Sequence, residues 1–248
     1  MPRLDSPAAR AYREAPLPPA GTPWRDVPYS VIDFETTGLD PGRDEIISFA
    51  AVMVADGKVR AKDTRYQLIR PTRMPDADTI RIHGLREMDL ADALPLDDVL
   101  DGLLEALTGR ALVAHVAAIE SGFLRAALRP RGLSLRSPIV DTAPLAVELS
   151  RLQRRPHSPE GDDAPAGIAI SSPGLGDLAR SLGLPVHRPH HAEGDALTTA
   201  QAFIVLATHL DGFSPQTLGS LVRISLPPRR RVSLRSLLGR FGIDRFPR

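Results

Sequence analysis

Val31-Ile32-Asp33-Phe34-Glu35-Thr36-Thr37-Gly38-Leu39 decides how the rest of the chain is read. An apolar segment carries two carboxylates one residue apart, and a Thr-Thr-Gly turn follows. Successive side chains on a strand alternate faces, so Asp33 and Glu35 share one face and Phe34 points to the other, into a core. Two like charges this close in a central segment repel unless a cation offsets them. Hard oxygen donors suit Mg²⁺ or Mn²⁺. The competing reading is a solvated strand end with two exposed acids.

Around this segment the pattern extends in both directions. Tyr29–Phe34 reads as the first strand. Glu45–Ala55 is a long apolar run bounded by Asp56-Gly57 and reads as the second, and Arg65–Arg70, ended by Pro71, as the third. Their short connections predict an antiparallel meander. Thr79–Leu90 is a short helix and turn around Gly84. Leu96–Leu107 places apolar residues at 96, 99, 100, 103, 104 and 107, one face of a helix. Ala111–Val116 and Pro138–Asp141 read as strands, each followed by a helix, Glu120–Leu128 and Pro144–Gln153. That alternation adds parallel strands to the meander and covers the sheet with helices, an α/β architecture. Leu175–Leu182, a long stretch within His190–Leu210, and Ser214–Leu221 complete the helices. Residues 1–26, proline-rich and aperiodic, read as a flexible N-terminal arm. One folded domain is expected over 27–212, interrupted by a loop insertion at 154–173, with an Arg-rich C-terminal extension over 213–248.

The 248 residues, 42% hydrophobic, suffice for one sizeable core. No apolar run approaches the ~18 residues of a membrane span. Nothing after Met1-Pro2-Arg3-Leu4-Asp5 resembles a secretory signal, so a cytoplasmic location is the default. The chain has no cysteine, which excludes disulfides and thiolate metal sites. All basic residues are arginine except Lys58 and Lys62. From Val222 to Arg248 eight arginines face one aspartate, about +7; with a total of +1, the rest of the chain carries about −6. An acidic body with a basic tail suits polyanion binding. Leu234, Leu237, Leu238 and Phe241 share a helical face, so a docking helix for a partner protein and a plain solvated end both stand beside that reading.

Two further stretches carry candidate chemistry. His190-His191-Ala192-Glu193-Gly194-Asp195 opens the long helix, and a loop histidine beside a helix-borne carboxylate suits a general base next to a metal ligand. An exposed polar loop, with Asp195 favouring the helix start, is the alternative. In Leu112–Leu124 a strand ends near His115 and a helix begins near Glu120, whose acid could project over the strand ends; ordinary helix N-terminal charge explains it equally. His83, His115, His157, His187 and His209 read as structural or solvated.

Taken together, the three stretches resemble the DEDD superfamily of 3′–5′ exonucleases, in its DnaQ-like group with a catalytic histidine. Asp33-Phe34-Glu35-Thr36-Thr37-Gly38 matches the first motif, D-x-E-T-T-G, and His190 to Asp195 the third, H-x4-D. Ile82-His83-Gly84-Leu85 and Gly176–Gly183 look like two intervening family segments. The second motif, A-H-N-x-x-F-D, departs: Val116 stands for the Asn and Glu120 for the Asp. The resemblance covers roughly residues 28–210. It implies a ribonuclease H-like mixed sheet, a three-stranded antiparallel meander plus parallel strands, flanked by helices.

By the same resemblance Asp33, Glu35, Glu120 and Asp195 hold two divalent metal ions, Mg²⁺ or Mn²⁺. His190 is the general base, with His191 its rival. Thr36, Thr37, Gly38 and Leu39 contact the terminal nucleotide, Leu39 as an apolar wedge. The implied activity is metal-dependent hydrolysis of phosphodiester bonds at nucleic-acid 3′ ends, DNA or RNA, releasing nucleoside 5′-monophosphates in proofreading or repair. A DNA polymerase or another protein is a possible partner through the C-terminal extension. The alternative is a weakened member that binds 3′ ends or a polymerase and hardly cleaves; Val116 and Glu120 are its support.

Overall fold

A computed structural model describes residues 6–154 and 174–226. The meander forms as expected: β1 (Tyr29–Thr36) pairs antiparallel with β2 (Ile46–Ala55), and β2 with β3 (Lys58–Arg70). β3 starts earlier than its apolar run because Asp56 and Gly57 both take positive φ, 54° and 65°. Those angles fit the tight turn whose twist matches paired strands. A two-residue edge strand, β4 (Leu94–Pro95), adds parallel to β3. β5 (Ala111–Ala114) joins β1 in parallel and β6 (Ile139–Asp141) joins β5, giving the order β4-β3-β2-β1-β5-β6.

Both sheet faces are covered, which is why β2 is apolar at every position but Ser48 and β1 is buried at six of its eight positions. On one face Ile32, Phe34 and Phe49 pack with Leu103, Leu104 and Leu107 of α4 (Leu96–Leu107) and Phe123 and Leu124 of α5 (Ala118–Leu128). On the other, Tyr29, Val31 and Val52 pack with α6 (Thr142–Gln153), α7 (Leu175–Ser181) and the 22-residue α8 (Ala192–Phe213). The segment between β3 and β4 forms two short helices, α2 (Ala77–His83) and α3 (Glu87–Leu90). Asp76 caps α2 by accepting the Thr79 N–H, and Gly84 at φ 75° ends it.

The N-terminal stretch read as a flexible arm is, from residue 6, part of the body. Ser6 accepts the Ala9 N–H to start α1 (Pro7–Glu14), with Pro7 in the first turn. The helix buries Ala8, Ala9 and Tyr12 against α4. The prolines that looked like disorder thus mark a helix start and an extended connection. Trp24 is 1% exposed and meets Phe203 of α8 edge-on, with ring centroids 6.0 Å apart.

The C-terminal boundary moves too. α9 (Leu218–Ser225) buries Leu218 and Leu221 in the same core, so the separate extension cannot begin at 213. The expected insertion, beyond Arg154, and the arginine cluster after Leu226 lie outside the described residues.

Candidate active site

The C-terminal ends of the parallel strands β1, β5 and β6 lie side by side, and the acids collect there. The antiparallel register puts Asp33 opposite Ala50 and Glu35 opposite Ser48. Alternation aims both carboxylates at the face covered by α8, while Phe34 enters the opposite core. Asp195, in the first turn of α8, reaches the same place. Carboxylate oxygens of Asp33, Glu35 and Asp195 all lie within 4.8 Å of one another.

Glu120, in the first turn of α5, approaches from the neighbouring strand end but lies outside that three-acid group. It is buried, and its Oε2 has no hydrogen-bond partner. Among the described residues, none of the four acids forms an ion pair.

The electrostatics follow from this crowding. Burial, then the charges of Asp195, Glu35 and Glu120, push the Asp33 carboxyl well above its ordinary range. Burial and Asp195 raise Glu35 to about 8. Asp195 rises only to about 6, because the backbone N–H groups of His190 and His191 oppose the burial. Glu120 is pushed up chiefly by burial, with Asp141 and Glu35 adding to it. Convergent carboxylates without a cation are strained in this way. A hard divalent ion would relieve them, and an all-oxygen donor set with one orphaned buried oxygen suits such an ion. The site residues therefore fit a divalent metal.

His190 sits just before α8 in a left-handed conformation, φ 60°, and is exposed. Its backbone N–H donates to Asp195 Oδ2 at 2.8 Å. His191 occupies the N-cap position of α8, its ring stacked on Tyr66 with centroids 4.8 Å apart and Nδ1 buried without a partner. Thr36, Thr37 and Gly38 are occupied in shaping the turn. Thr36 Oγ1 donates to the Gly38 carbonyl at 2.5 Å, and Thr37 Oγ1 accepts the Glu45 N–H at 3.0 Å. Any side chain at Gly38 would collide with the Asp44 carboxylate. Leu39 is half-buried next to this turn.

Four contributors were not read from the sequence. Tyr66 lies in one cross-strand row with Ala50 and Asp33, so it walls the acid cluster on the β3 side. The alternation of β3 contained that signal, but only once the register was known. His83 accepts the Leu85 N–H through Nδ1 at 3.0 Å and leaves Nε2 buried without a partner. Burial, and secondarily His190, lower its pKa to about 4, so it stays neutral. Gly194 lets the chain at His187 and Arg188 lie directly on the first turn of α8; a Cβ there would run into their carbonyl oxygens. Asp141, at the end of β6, accepts N–H groups from Val116 and Ala117, both at 3.0 Å.

A family model for an exonuclease domain, RNase_T, matches residues 30–203. A PolC-type DNA polymerase III of Thermotoga petrophila is 34% identical over 177 residues, 71% of this chain and 12% of that protein. A DNA polymerase III subunit epsilon-like protein of Rhodobacter capsulatus is 30% identical over 206 residues, 82% of this chain and 27% of the other. The 3′-5′ exonuclease DinG of Bacillus subtilis is 29% identical over 204 residues, 79% and 19% of the two chains. The chain therefore spans a minor part of these curated relatives' lengths. Among solved structures, Exonuclease X in complex with 5′ overhanging duplex DNA superposes with a TM-score of 0.56 at 24% identity, covering 80% of this chain and 99% of that one. E. coli Exonuclease I in complex with a dT13 oligonucleotide gives 0.61 at 16%, covering 76% and 42%. These structural likenesses establish the shared fold. No helix among the described residues is long and apolar enough to cross a membrane.

Proposed function

This chain belongs to the RNase_T exonuclease family, and from that premise we propose that it hydrolyses phosphodiester bonds at nucleic-acid 3′ ends. The products are nucleoside 5′-monophosphates. The observation that carries the reading is the convergence of Asp33, Glu35 and Asp195 within 4.8 Å. Glu120 approaches them and His190 stands at the rim.

Asp33, Glu35, Glu120 and Asp195 would hold two divalent ions, Mg²⁺ or Mn²⁺. When bound, such ions offset the negative charge of the phosphodiester and promote attack by water. The chain's own groups do the rest. His190 takes the proton of the attacking water through its imidazole, and Asp195 fixes the loop that carries it. His83, held neutral beside His190, adds no competing positive charge. Tyr66 and His191 form a stacked wall, and the Thr36–Leu39 turn lies where a terminal nucleotide would rest, with Leu39 against the base. The polymerase names among the relatives support proofreading or repair as the setting and a DNA polymerase as the partner class.

The test is a labelled oligonucleotide assay with Mg²⁺ or Mn²⁺, on DNA and RNA with free and blocked 3′ ends. Stepwise shortening from free 3′ ends alone is the expected result. Metal binding with no cleavage of any substrate would overturn it in favour of the end-binding module, for which Val116 and Glu120 are the specific observations.

A further inference from the structure

The turn between β5 and α5 has a defect that another residue repairs. Val116 is held at φ 59°, a left-handed conformation that crowds a β-branched side chain. Ala117, the N-cap of α5, has no side-chain oxygen to accept the helix's first N–H groups. Within the turn itself a backbone bond, from the Ile119 N–H to the Val116 carbonyl at 3.0 Å, holds it, and it carries Glu120 three residues later. Asp141 braces the turn from the adjacent strand, where its backbone is in register with Ala114. Its Oδ1 accepts the Val116 N–H at 3.0 Å, and its Oδ2 accepts the Ala117 N–H at 3.0 Å. Oδ1 also accepts the Ala143 N–H at 3.0 Å, which caps α6. The Asp141 N–H in turn donates to Ser225 Oγ at 2.8 Å, at the end of α9. The carboxylate thus braces the entry to α5 and caps α6, while the backbone of the same residue is anchored to α9.

We propose that Asp141 is a positioning residue for Glu120: it clamps the strained 116–117 turn and so sets where the Glu120 carboxylate stands relative to Asp33, Glu35 and Asp195. The inference rests on the exonuclease reading for its activity arm, but its metal-binding arm does not need turnover. Removing a residue that orients a metal ligand costs about 10–100-fold in metal affinity or activity.

The experiment is a double-mutant cycle on the full chain, with Asp141→Ala, Glu120→Ala and the pair. Mn²⁺ affinity and 3′-end hydrolysis are measured side by side, and circular dichroism reports folding. We expect Asp141→Ala to weaken Mn²⁺ binding and kcat by about 10–100-fold, to leave KM for the oligonucleotide within about threefold, and to add nothing in the Glu120→Ala background. Asparagine tolerates left-handed backbone and can accept a local N–H, so Val116→Asn should recover part of the loss in Asp141→Ala. Independent losses that multiply in the double variant would overturn the proposal, as would unchanged Mn²⁺ affinity in Asp141→Ala. If Asp141→Ala does not fold, Asp141→Asn, which keeps one acceptor oxygen, takes its place in the same cycle. A wild-type chain that binds Mn²⁺ but cleaves nothing defeats the exonuclease reading alone; the Mn²⁺ cycle still decides the role of Asp141.

Discussion

Asp195 and His190 are joined through the backbone: the Asp195 carboxylate accepts the His190 N–H at 2.8 Å while its oxygens face Asp33 and Glu35. One carboxylate therefore ties the acid cluster to the left-handed turn, φ 60°, that presents the imidazole. The five-residue spacing has a physical meaning, since it lets a first-turn helical acid accept the N–H of the residue two before its own helix.

His190→Ala leaves the acids untouched and removes the only exposed imidazole at the rim among the described residues. Loss of a general base costs typically 10²–10⁴-fold in rate. Turnover on a 3′-labelled oligonucleotide is expected to fall by that range, with Mn²⁺ affinity unchanged. The thermal midpoint should move by about 2 °C or less, as for an exposed position. Wild-type hydrolysis by the variant would remove His190 from the mechanism.

Gly194→Ala tests the close approach of the 187–190 loop to α8. A methyl group there meets the carbonyl oxygens of His187 and Arg188, so backbone must shift. Overpacking of this kind costs about 1–3 kcal/mol, which is a fall of about 2–12 °C in Tm for a chain of this size. The loop it displaces carries His190, so turnover should fall even at temperatures where the variant is folded. A stable, fully active Gly194→Ala would show that the loop tolerates the displacement.

The carboxyl shifts set the pH dependence of the metal-free chain. Asp195 and Glu35 have folded-state pKa values of about 6 and about 8, above the ordinary values near 4. Between the two ranges the folded state holds more protons than the unfolded one, so stability falls as pH rises. The cluster's penalty is absent below about pH 4, grows through the folded pKa values and is complete above about pH 8. Metal binding replaces the protons. Scanning calorimetry should therefore show Mg²⁺ or Mn²⁺ raising Tm far more at pH 8 than at pH 5. An equal rise at both pH values would mean that the ions bind elsewhere.

The segment after Leu226 carries seven of the eight C-terminal arginines. Truncation there should weaken oligonucleotide binding and flatten the dependence of log affinity on log salt, by about 0.7–0.9 for each phosphate that is no longer neutralised. The cut leaves α9 and its buried Leu218 and Leu221 intact, so Tm should hold. Retained affinity with an unchanged salt slope would assign the arginines another role.

Residues 31–39 were legible because both clues are local: alternation separates Asp33 and Glu35 from Phe34, and the apolar flanks require a central strand. α4 was legible to the residue because its stripe is regular. The arm was misread because Ala8, Ala9 and Tyr12 form too short a stripe to stand out among prolines, and their burial depends on α4, about ninety residues away. Tyr66 and Asp141 act across strand pairs, through a register the linear pattern does not contain. His190 was legible by its spacing to Asp195; the positive φ that aims it was not.

Glu120→Gln separates stability from function at one atom. Glu120 is buried with Oε2 unpartnered, and burial with the charges of Asp141 and Glu35 holds its carboxyl well up. A neutral amide of the same shape removes the charge without opening a cavity. In the absence of metal, at a pH where Glu120 is ionised, Glu120→Gln should raise Tm; at low pH, where the wild-type carboxyl is protonated, the two chains should melt together. With Mn²⁺ the order should reverse, because the amide is the weaker ligand, and turnover should drop by at least about 10²-fold, comparable to removing a transition-state interaction. Glu120→Asp keeps the charge but retracts the carboxylate by one methylene from a group it already stands outside, so its turnover should lie between the two. Full activity in Glu120→Gln would place Glu120 outside the metal site and leave Asp33, Glu35 and Asp195 as its whole carboxylate set.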